Sequence, residues 1–287
     1  MLLVGPARRC GLVVSFGHLR PSTEHSTNHS PHRPPSPMPR DNIYALPRDQ
    51  VGSFQFDDHV AEVFPDMISR SVPGYTSILS VIEQLAERLV QPASNVYDLG
   101  CSLGAATTLI RGKAPADATI YAIDNSEAMI RRLRDQLAGY SQTDTASVSD
   151  LCDVIIQQQD LCDTEMSNAS MVVLNFTLQF IAAEKRTELL SRCFDAMIPG
   201  GGLVLSEKIC FDDPAEQDLL AELHLDFKRA CGYSELEIAQ KRTSLENTLI
   251  PETLQTHISR LQQAGFQTVT PWFQCFNFVS ILAIKSR

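Results

Sequence analysis

Val96-Tyr97-Asp98-Leu99-Gly100-Cys101-Ser102-Leu103-Gly104 is the stretch that decides the fold. It reads as a short buried strand over 95–99 that ends in a glycine turn and runs into a helical pattern over 105–110. Strand-like runs follow at 119–123, 153–157, 171–174 and 203–205, with helical spacing between them at 126–137 and 182–197. Ahead of the turn, Ile78, Leu79, Ile82, Leu85, Ala86 and Leu89 fall on one helical face over 76–90, and Pro92 stops that helix. Strands alternating with helices of this length predict an α/β fold with a doubly wound, mostly parallel sheet covered on both faces. The tail differs. Residues 214–249 predict two consecutive helices and 252–263 a third, while 266–272 and 275–284 predict two strands joined as an antiparallel hairpin.

Ligands of such sheets bind where the strands end, at the switch point of the strand order. The two glycines of the first turn let backbone approach a ligand, and the following helix offers unpaired N–H groups. The spacing is G-x-x-x-G, which lacks the G-x-G-x-x-G fingerprint of dinucleotide enzymes. Gly100-Cys101-Ser102-Leu103-Gly104 also satisfies G-x-S-x-G, the nucleophile elbow, with His224 and His257 downstream. That elbow follows several strands, whereas only helical pattern and disorder are expected before Asn95, so a serine hydrolase is disfavoured.

Asp124 ends the second strand, 20 residues beyond Gly104. A carboxylate there either takes both hydroxyls of a ribose or caps the helix starting near Ser126. The third strand ends at Gln159-Asp160-Leu161, where a carboxylate and backbone can read an adenine edge. The fourth ends at Leu174-Asn175-Phe176-Thr177, and Pro199-Gly200-Gly201-Gly202 is expected to form the turn before the fifth strand. In this order the features resemble class I S-adenosylmethionine (SAM) dependent methyltransferases, and the closing hairpin is similar to the antiparallel end of that sheet.

Composition sets outer bounds. The chain has 287 residues, 44% of them hydrophobic and 20% charged, enough to bury a core without disulfide or metal staples. Its longest apolar runs, 171–174 and 279–284, are far short of the roughly 20 residues of a membrane-spanning helix. Eight cysteines contain no C-x-x-C pair and read as reduced, mostly buried small hydrophobes of a cytoplasmic protein. No His and Cys cluster at metal-ligand spacing, so no metal is expected.

The net charge of −10 divides unevenly. Residues 1–40 hold five Arg against Glu24 alone, so they carry +4 and residues 41–287 carry −14. Seven of the sixteen Pro also fall in 1–40, which predicts a disordered, basic, Pro-rich extension outside a single SAM-binding catalytic domain at 41–287. The extension is also consistent with sequence upstream of a true start at Met38. A tRNA-binding enzyme must neutralise phosphates with Lys and Arg, and in the acidic part the basic pairs Lys228-Arg229 and Lys241-Arg242 sit among Glu and Asp. Direct nucleic-acid binding is therefore not expected.

A narrower resemblance rests on longer strings. Val60-Ala61-Glu62-Val63-Phe64-Pro65-Asp66-Met67-Ile68, Ser71-Val72-Pro73-Gly74-Tyr75 and Met171-Val172-Val173-Leu174-Asn175-Phe176-Thr177-Leu178-Gln179-Phe180 are three of them. Leu205-Ser206-Glu207-Lys208, Asp226-Phe227-Lys228-Arg229-Ala230, Gly232-Tyr233-Ser234-Glu235-Leu236-Glu237-Ile238, Gln240-Lys241-Arg242 and Trp272-Phe273-Gln274-Cys275-Phe276-Asn277-Phe278 are the others. Together with the first turn they resemble the carboxy-S-adenosyl-L-methionine synthases, from about residue 52 to the end.

That resemblance implies an enzyme that converts SAM and prephenate to carboxy-SAM and phenylpyruvate. A second enzyme then uses carboxy-SAM to carboxymethylate wobble uridine in tRNA. It implies ligand contacts at Tyr75, Gly100, Cys101, Ser102, Asp124, Asn125, Asp160, Leu161, Asn175 and Arg242, and a homodimer. Arg242 is the implied anchor of the new carboxylate, because guanidinium offers a planar two-pronged donor to it. The implied chemistry is decarboxylation of prephenate, loss of the sulfonium methyl proton to hydroxide, and capture of carbon dioxide by the resulting ylide. Lys208, Tyr75, Tyr233 and His224 are unranked candidates for a protein base. Two other readings stay open from the residues alone: a SAM-dependent methyltransferase acting on tRNA or a small molecule, and a non-catalytic carrier of carboxy-SAM.

Overall fold

Strand β1 (Asn95–Leu99) lies between β2 (Thr119–Asp124) and β4 (Ala169–Asn175), and all three run parallel. β3 (Asp153–Gln158) continues the sheet beyond β2, and β5 (Met197–Cys210) continues it beyond β4. β8 (Phe278–Ile284) pairs antiparallel with β5, and β7 (Thr268–Cys275) antiparallel with β8. The order is therefore β3-β2-β1-β4-β5-β8-β7, with the two-residue β6 (Glu252–Thr253) parallel to the end of β5. The computed structural model describes residues 39–143 and 151–287. The disordered arm expected at 1–40 falls almost wholly on 1–38, outside the described residues.

The central strands are apolar on both faces, as burial under two helical layers requires. Tyr97, Leu99, Val172, Leu174, Leu203 and Leu205 face α5 (Ala183–Ala196) and α8 (Leu254–Gln263). Their neighbours Val96, Met171, Val173 and Val204 face the opposite way, onto α2 (Tyr75–Leu89) and α3 (Ala105–Arg111). α4 (Glu127–Thr143) extends that second layer, packing Ile130 and Leu133 on Ala122 and on partly buried Ile156.

Helix boundaries follow local chemistry. Asp57 caps α1 (Asp58–Ser71) by accepting from the Val60 amide at 2.9 Å. α1 keeps Pro65 in its interior, a residue that normally breaks a helix, and it is absent from the elements predicted above. α6 (Pro214–Ala230) starts with Pro at its first position behind an Asp213 cap, and Gly232 at φ 85° separates it from α7 (Glu235–Leu245). α7 opens with a capping box between Ser234 and Glu237.

Two expectations change. Pro199-Gly200-Gly201-Gly202 is no turn before the fifth strand but lies inside β5, as a bulge where the β4 register jumps from Ala169↔Met197 to Met171↔Gly202. The glycines are needed because a Cβ on Gly201 would lie 3.0 Å from the carbonyl oxygens of Ile198 and Ser170. The hairpin turn falls at Phe276-Asn277, later than predicted, with Phe276 at φ 51°.

Arg186 ties the region after β4 to the region before α8. Its guanidinium is fully buried and donates to the carbonyls of Ile181 (2.8 Å), Gln179 (3.2 Å) and Ile250 (3.0 Å) and to Glu252 Oε2 (2.6 Å). Arg186→Met would strand these acceptors, although Arg260 still holds Glu252. Urea unfolding should show a loss of about 3 kcal/mol; a loss below about 1 kcal/mol would mean the segments are held by packing alone.

Candidate functional site

The turn after β1 is built by hydrogen bonds that its sequence permits. The amides of Gly100 and Cys101 both donate to the Ile123 carbonyl, at 2.8 and 3.0 Å, and Gly104 donates to Cys101 at 2.8 Å. Gly100 sits at φ 81° and Ser102 at φ 51°. A Cβ on Gly100 would come within 2.4 Å of the Thr177 side chain, so the turn from β1 and the loop after β4 touch only because no side chain intervenes. Asp124 then locks β2 to this turn: Oδ2 accepts from the Ser102 amide and Oδ1 from the Ser126 amide, both at 2.9 Å. Asp124 thus braces the approach to the next helix, as one of its two readings expects, and it also lines the cavity described next.

Beside this turn opens a cavity of about 650 Å³, at the carboxyl ends of β1 and β4 and under α1, α6 and α7. Tyr75, Gly100, Cys101 and Ser102 line it from the α2 start and the β1 turn. Asp124 and Asn125 line it from β2, Asp160 and Leu161 from the segment after β3, and Asn175 from the end of β4. Nine of the ten expected ligand residues thus meet in one space. Arg242 does not: it is exposed on α7 and lies outside the lining. Tyr233 is also outside, its hydroxyl donating to Asp41 Oδ2 at 2.5 Å.

The residues present suit a SAM-like ligand. Asn175 Oδ1 is buried with no hydrogen-bond partner among the described residues, an acceptor open to a ligand donor. Asp160 anchors its own loop through the Cys162 amide at 2.8 Å, which leaves an oxygen and the Leu161 backbone for an adenine edge. The hydrolase alternative loses its geometry, because Ser102 Oγ contacts Met129 Sδ at 3.3 Å and His224 Nε2 meets the Ser71 carbonyl at 2.9 Å. His257 lies apart from the cavity. Among the described residues no group of three His, Cys, Asp or Glu is placed to hold a metal, and no helix is long and apolar enough to cross a membrane.

The charges are unevenly spread. Asp98, Asp124 and Asp160 line the strand-end half, joined there by Lys185 of α5, whereas Lys208 of β5, Lys228 of α6 and Lys241 of α7 line the other, with His224. Burial pushes the Asp98 carboxyl up to about 6 although Thr107 Oγ1 donates to it at 2.6 Å. Burial also raises Asp124, against the pull of three amides. On the basic side, burial and then Lys241 and Lys208 lower Lys228 to about 7, and burial lowers Lys241 to about 8. Lys208 falls too, through burial and Arg242. His224, buried among these lysines, drops to about 3 and is neutral near pH 7, a weak base. Lys228 and Lys241 were not singled out as cavity residues from sequence; the two basic pairs that contain them were the visible signal.

The sheet order and strand-end cavity define a class I SAM-dependent transferase. A model described as "Methyltransferase domain" matches residues 97–203. Human N-acetylserotonin methyltransferase, solved with SAM, shares the fold at a TM-score of 0.50 and 17% identity, over 80% of this chain and 55% of that one. The carboxy-S-adenosyl-L-methionine synthase of Shewanella amazonensis is 55% identical over 247 residues, 86% of this chain and 98% of that protein. The one from Aeromonas salmonicida is 53% identical, over 86% and 97%. The chain belongs to the carboxy-S-adenosyl-L-methionine synthase family.

SAM carries a sulfonium and an ammonium, and the buried Asp98 carboxylate, costly in the empty cavity, would supply a counter-charge to a cationic ligand. With a native pKa of about 6 against an ordinary 3.8, the folded protein binds more protons than the unfolded chain between these values. Stability conferred at low pH is lost as pH rises through that window and stays lost above it. Asp98→Asn should therefore melt higher than the parent above pH 6, by on the order of 2–3 kcal/mol, and match it near pH 4. Calorimetry should also show SAM binding weakened tenfold or more. Equal SAM affinity in both proteins would remove Asp98 from the ligand's electrostatics.

Proposed function

We propose that this protein is a carboxy-SAM synthase that takes SAM and prephenate and yields carboxy-SAM, phenylpyruvate and water. The observation that carries the reading is a cavity with adenosyl-type acids at one end and buried lysines at the other. Methyl transfer needs no cations beyond the methyl group, whereas making a carboxylate on that carbon does.

In this reading the Asp124 carboxylate accepts the ribose hydroxyls, and Asp160 with the Leu161 backbone reads the adenine. The Gly100–Ser102 turn, Asn125, Asn175 and Tyr75 hold the rest of the molecule. Prephenate loses carbon dioxide and hydroxide as its ring becomes aromatic. The hydroxide removes a proton from the sulfonium methyl, giving water, and the carbon left with the electron pair attacks carbon dioxide. No further base is required, in keeping with a His224 that is too weak and a Tyr75 whose hydroxyl burial and Asp98 push above its ordinary range. The cavity walls supply proximity and exclude the water that would reprotonate the carbon.

Arg242 stands outside the lining yet near enough to lower Lys208, and we assign it to the product carboxylate within a homodimer. Exposed Leu219 and Leu223 on α6 and Leu236 on α7 give the neighbouring surface an apolar character that suits association. The catalytic domain spans 41–287, acts in the cytoplasm, needs no metal and does not touch tRNA. Its −14 charge favours making a reagent that a separate tRNA carboxymethyltransferase consumes at the wobble uridine.

Emptied protein given SAM and prephenate should form a ligand heavier than SAM by one carbon dioxide, detected by mass spectrometry, only when both are present. Methyl transfer to RNA without that product would overturn the reading. Arg242→Met should fold normally and retain roughly a tenth or less of the carboxy-SAM held by the parent, since a charge-assisted contact is lost. Undiminished retention would remove Arg242 from the site.

A further inference from the structure

The basic end of the cavity has more positive charge than its own carboxylates neutralise. Lys208, Lys228 and Lys241 line it, while Arg70 acts on Lys241 and Arg242 on Lys208 from outside the lining. Arg70 is paired with Asp66 at 2.7 Å, and Lys241 approaches Asp41 at 3.8 Å while donating to Ser71 Oγ at 3.3 Å. Asp41 and Asp66 are in turn engaged: Asp41 accepts the Tyr233 hydroxyl at 2.5 Å, and Asp66 accepts the Asp41 amide at 2.7 Å. That leaves Lys208 and Lys228. Neither ammonium has a hydrogen-bond or ion-pair partner among the described residues, and both side chains line the cavity with most of their length buried.

Buried ammonium groups are retained only with compensation, because their desolvation costs several kcal/mol each. SAM supplies one carboxylate and two cations, and so cannot balance two further lysines. From this placement we propose that Lys208 and Lys228 form a subsite for a dicarboxylate co-substrate, one carboxylate to each ammonium, with Lys241 closing the subsite from α7. The proposal rests on the prephenate reading above and names the residues that recognise it.

The elements argue the same way. Lys208 projects from the end of β5, next to the reacting end of the sheet, and Lys228 from the last turns of α6, four residues after His224. His224 stays neutral with Nε2–H donating to Ser71 O, which leaves Nδ1 as an acceptor for a hydroxyl. A molecule bearing two carboxylates and a hydroxyl thus finds a donor for each acid and an acceptor for the third group. A dianion would also draw the lowered Lys228 and Lys208 back to their charged forms, so they recharge on binding.

Binding and turnover separate this proposal from the reading beneath it. Prephenate is titrated calorimetrically into parent protein, Lys208→Met and Lys228→Met, each saturated with S-adenosylhomocysteine so that no methyl can react. The parent should bind, and each variant should bind on the order of tenfold to a hundredfold more weakly. S-Adenosylhomocysteine affinity and circular dichroism should be unchanged, and Lys228→Arg should recover part of the prephenate affinity. Prephenate affinity undiminished in both variants, or no binding by the parent, overturns the subsite. A parallel loss of S-adenosylhomocysteine affinity also overturns it, because the lysines would then serve the nucleoside's own carboxylate. Whether the parent converts SAM and prephenate to carboxy-SAM is read independently, so the reaction can stand while the subsite falls.

Discussion

The cavity depends on one backbone constraint, the reversal of strand order between β1 and β4. From that point the chain winds outward in opposite directions, so the loops that follow the two strands diverge and leave a crevice. The crevice survives because Gly100 has no Cβ to strike Thr177, and because Ile123 and Asp124 of β2 accept three amides from the β1 turn. Glu207 does the same for the opposite wall. It is fully buried on β5 and clasps the amides of Leu178 and Gln179 at 2.9 and 2.8 Å, holding the loop after β4 in place. The ligand-facing atoms are thus positioned by main-chain hydrogen bonds in the rigid part of the sheet.

Around that frame the charges sort by element. The acids come from strand ends, where they stand beside helix starts and amide groups that favour negative charge. The lysines come from the end of β5, from α5, and from α6 and α7, which close over the crevice. A net charge of −14 over residues 41–287 says little about this division, because exposed acids dominate the total while the chemistry sits among buried groups.

Much of the frame was legible in order along the chain. Glycine spacing, an acid at the end of β2 and another after β3 are local features, and nine of ten expected residues meet in the cavity. Less legible was the phase of helices outside the sheet. In Lys228-Arg229 the lysine is buried, while Arg229 is half exposed and paired with Asp226 and Glu235. In Lys241-Arg242 the lysine again turns inward and the arginine outward. Adjacent residues on a helix point about 100° apart, so a basic pair cannot place both members in one site. Pro65 hid α1 in the same way, because a residue that usually ends a helix is tolerated inside one whose apolar face is packed.

By itself the sequence determined the alternation of strands and helices, the glycine turn, the order of the acids and the family, since each depends on residues close together or on long matching strings. Tertiary structure alone decided that Pro199–Gly202 is a bulge inside β5, that Glu207 braces the loop after β4, and that Lys208 and Lys228 share one wall with no ion-pair partner among the described residues. Those facts concern residues far apart in the chain, brought together by the sheet register and by the way α6 and α7 pack over it. Charge balance in a buried space is a property of that packing, and no local pattern encodes it.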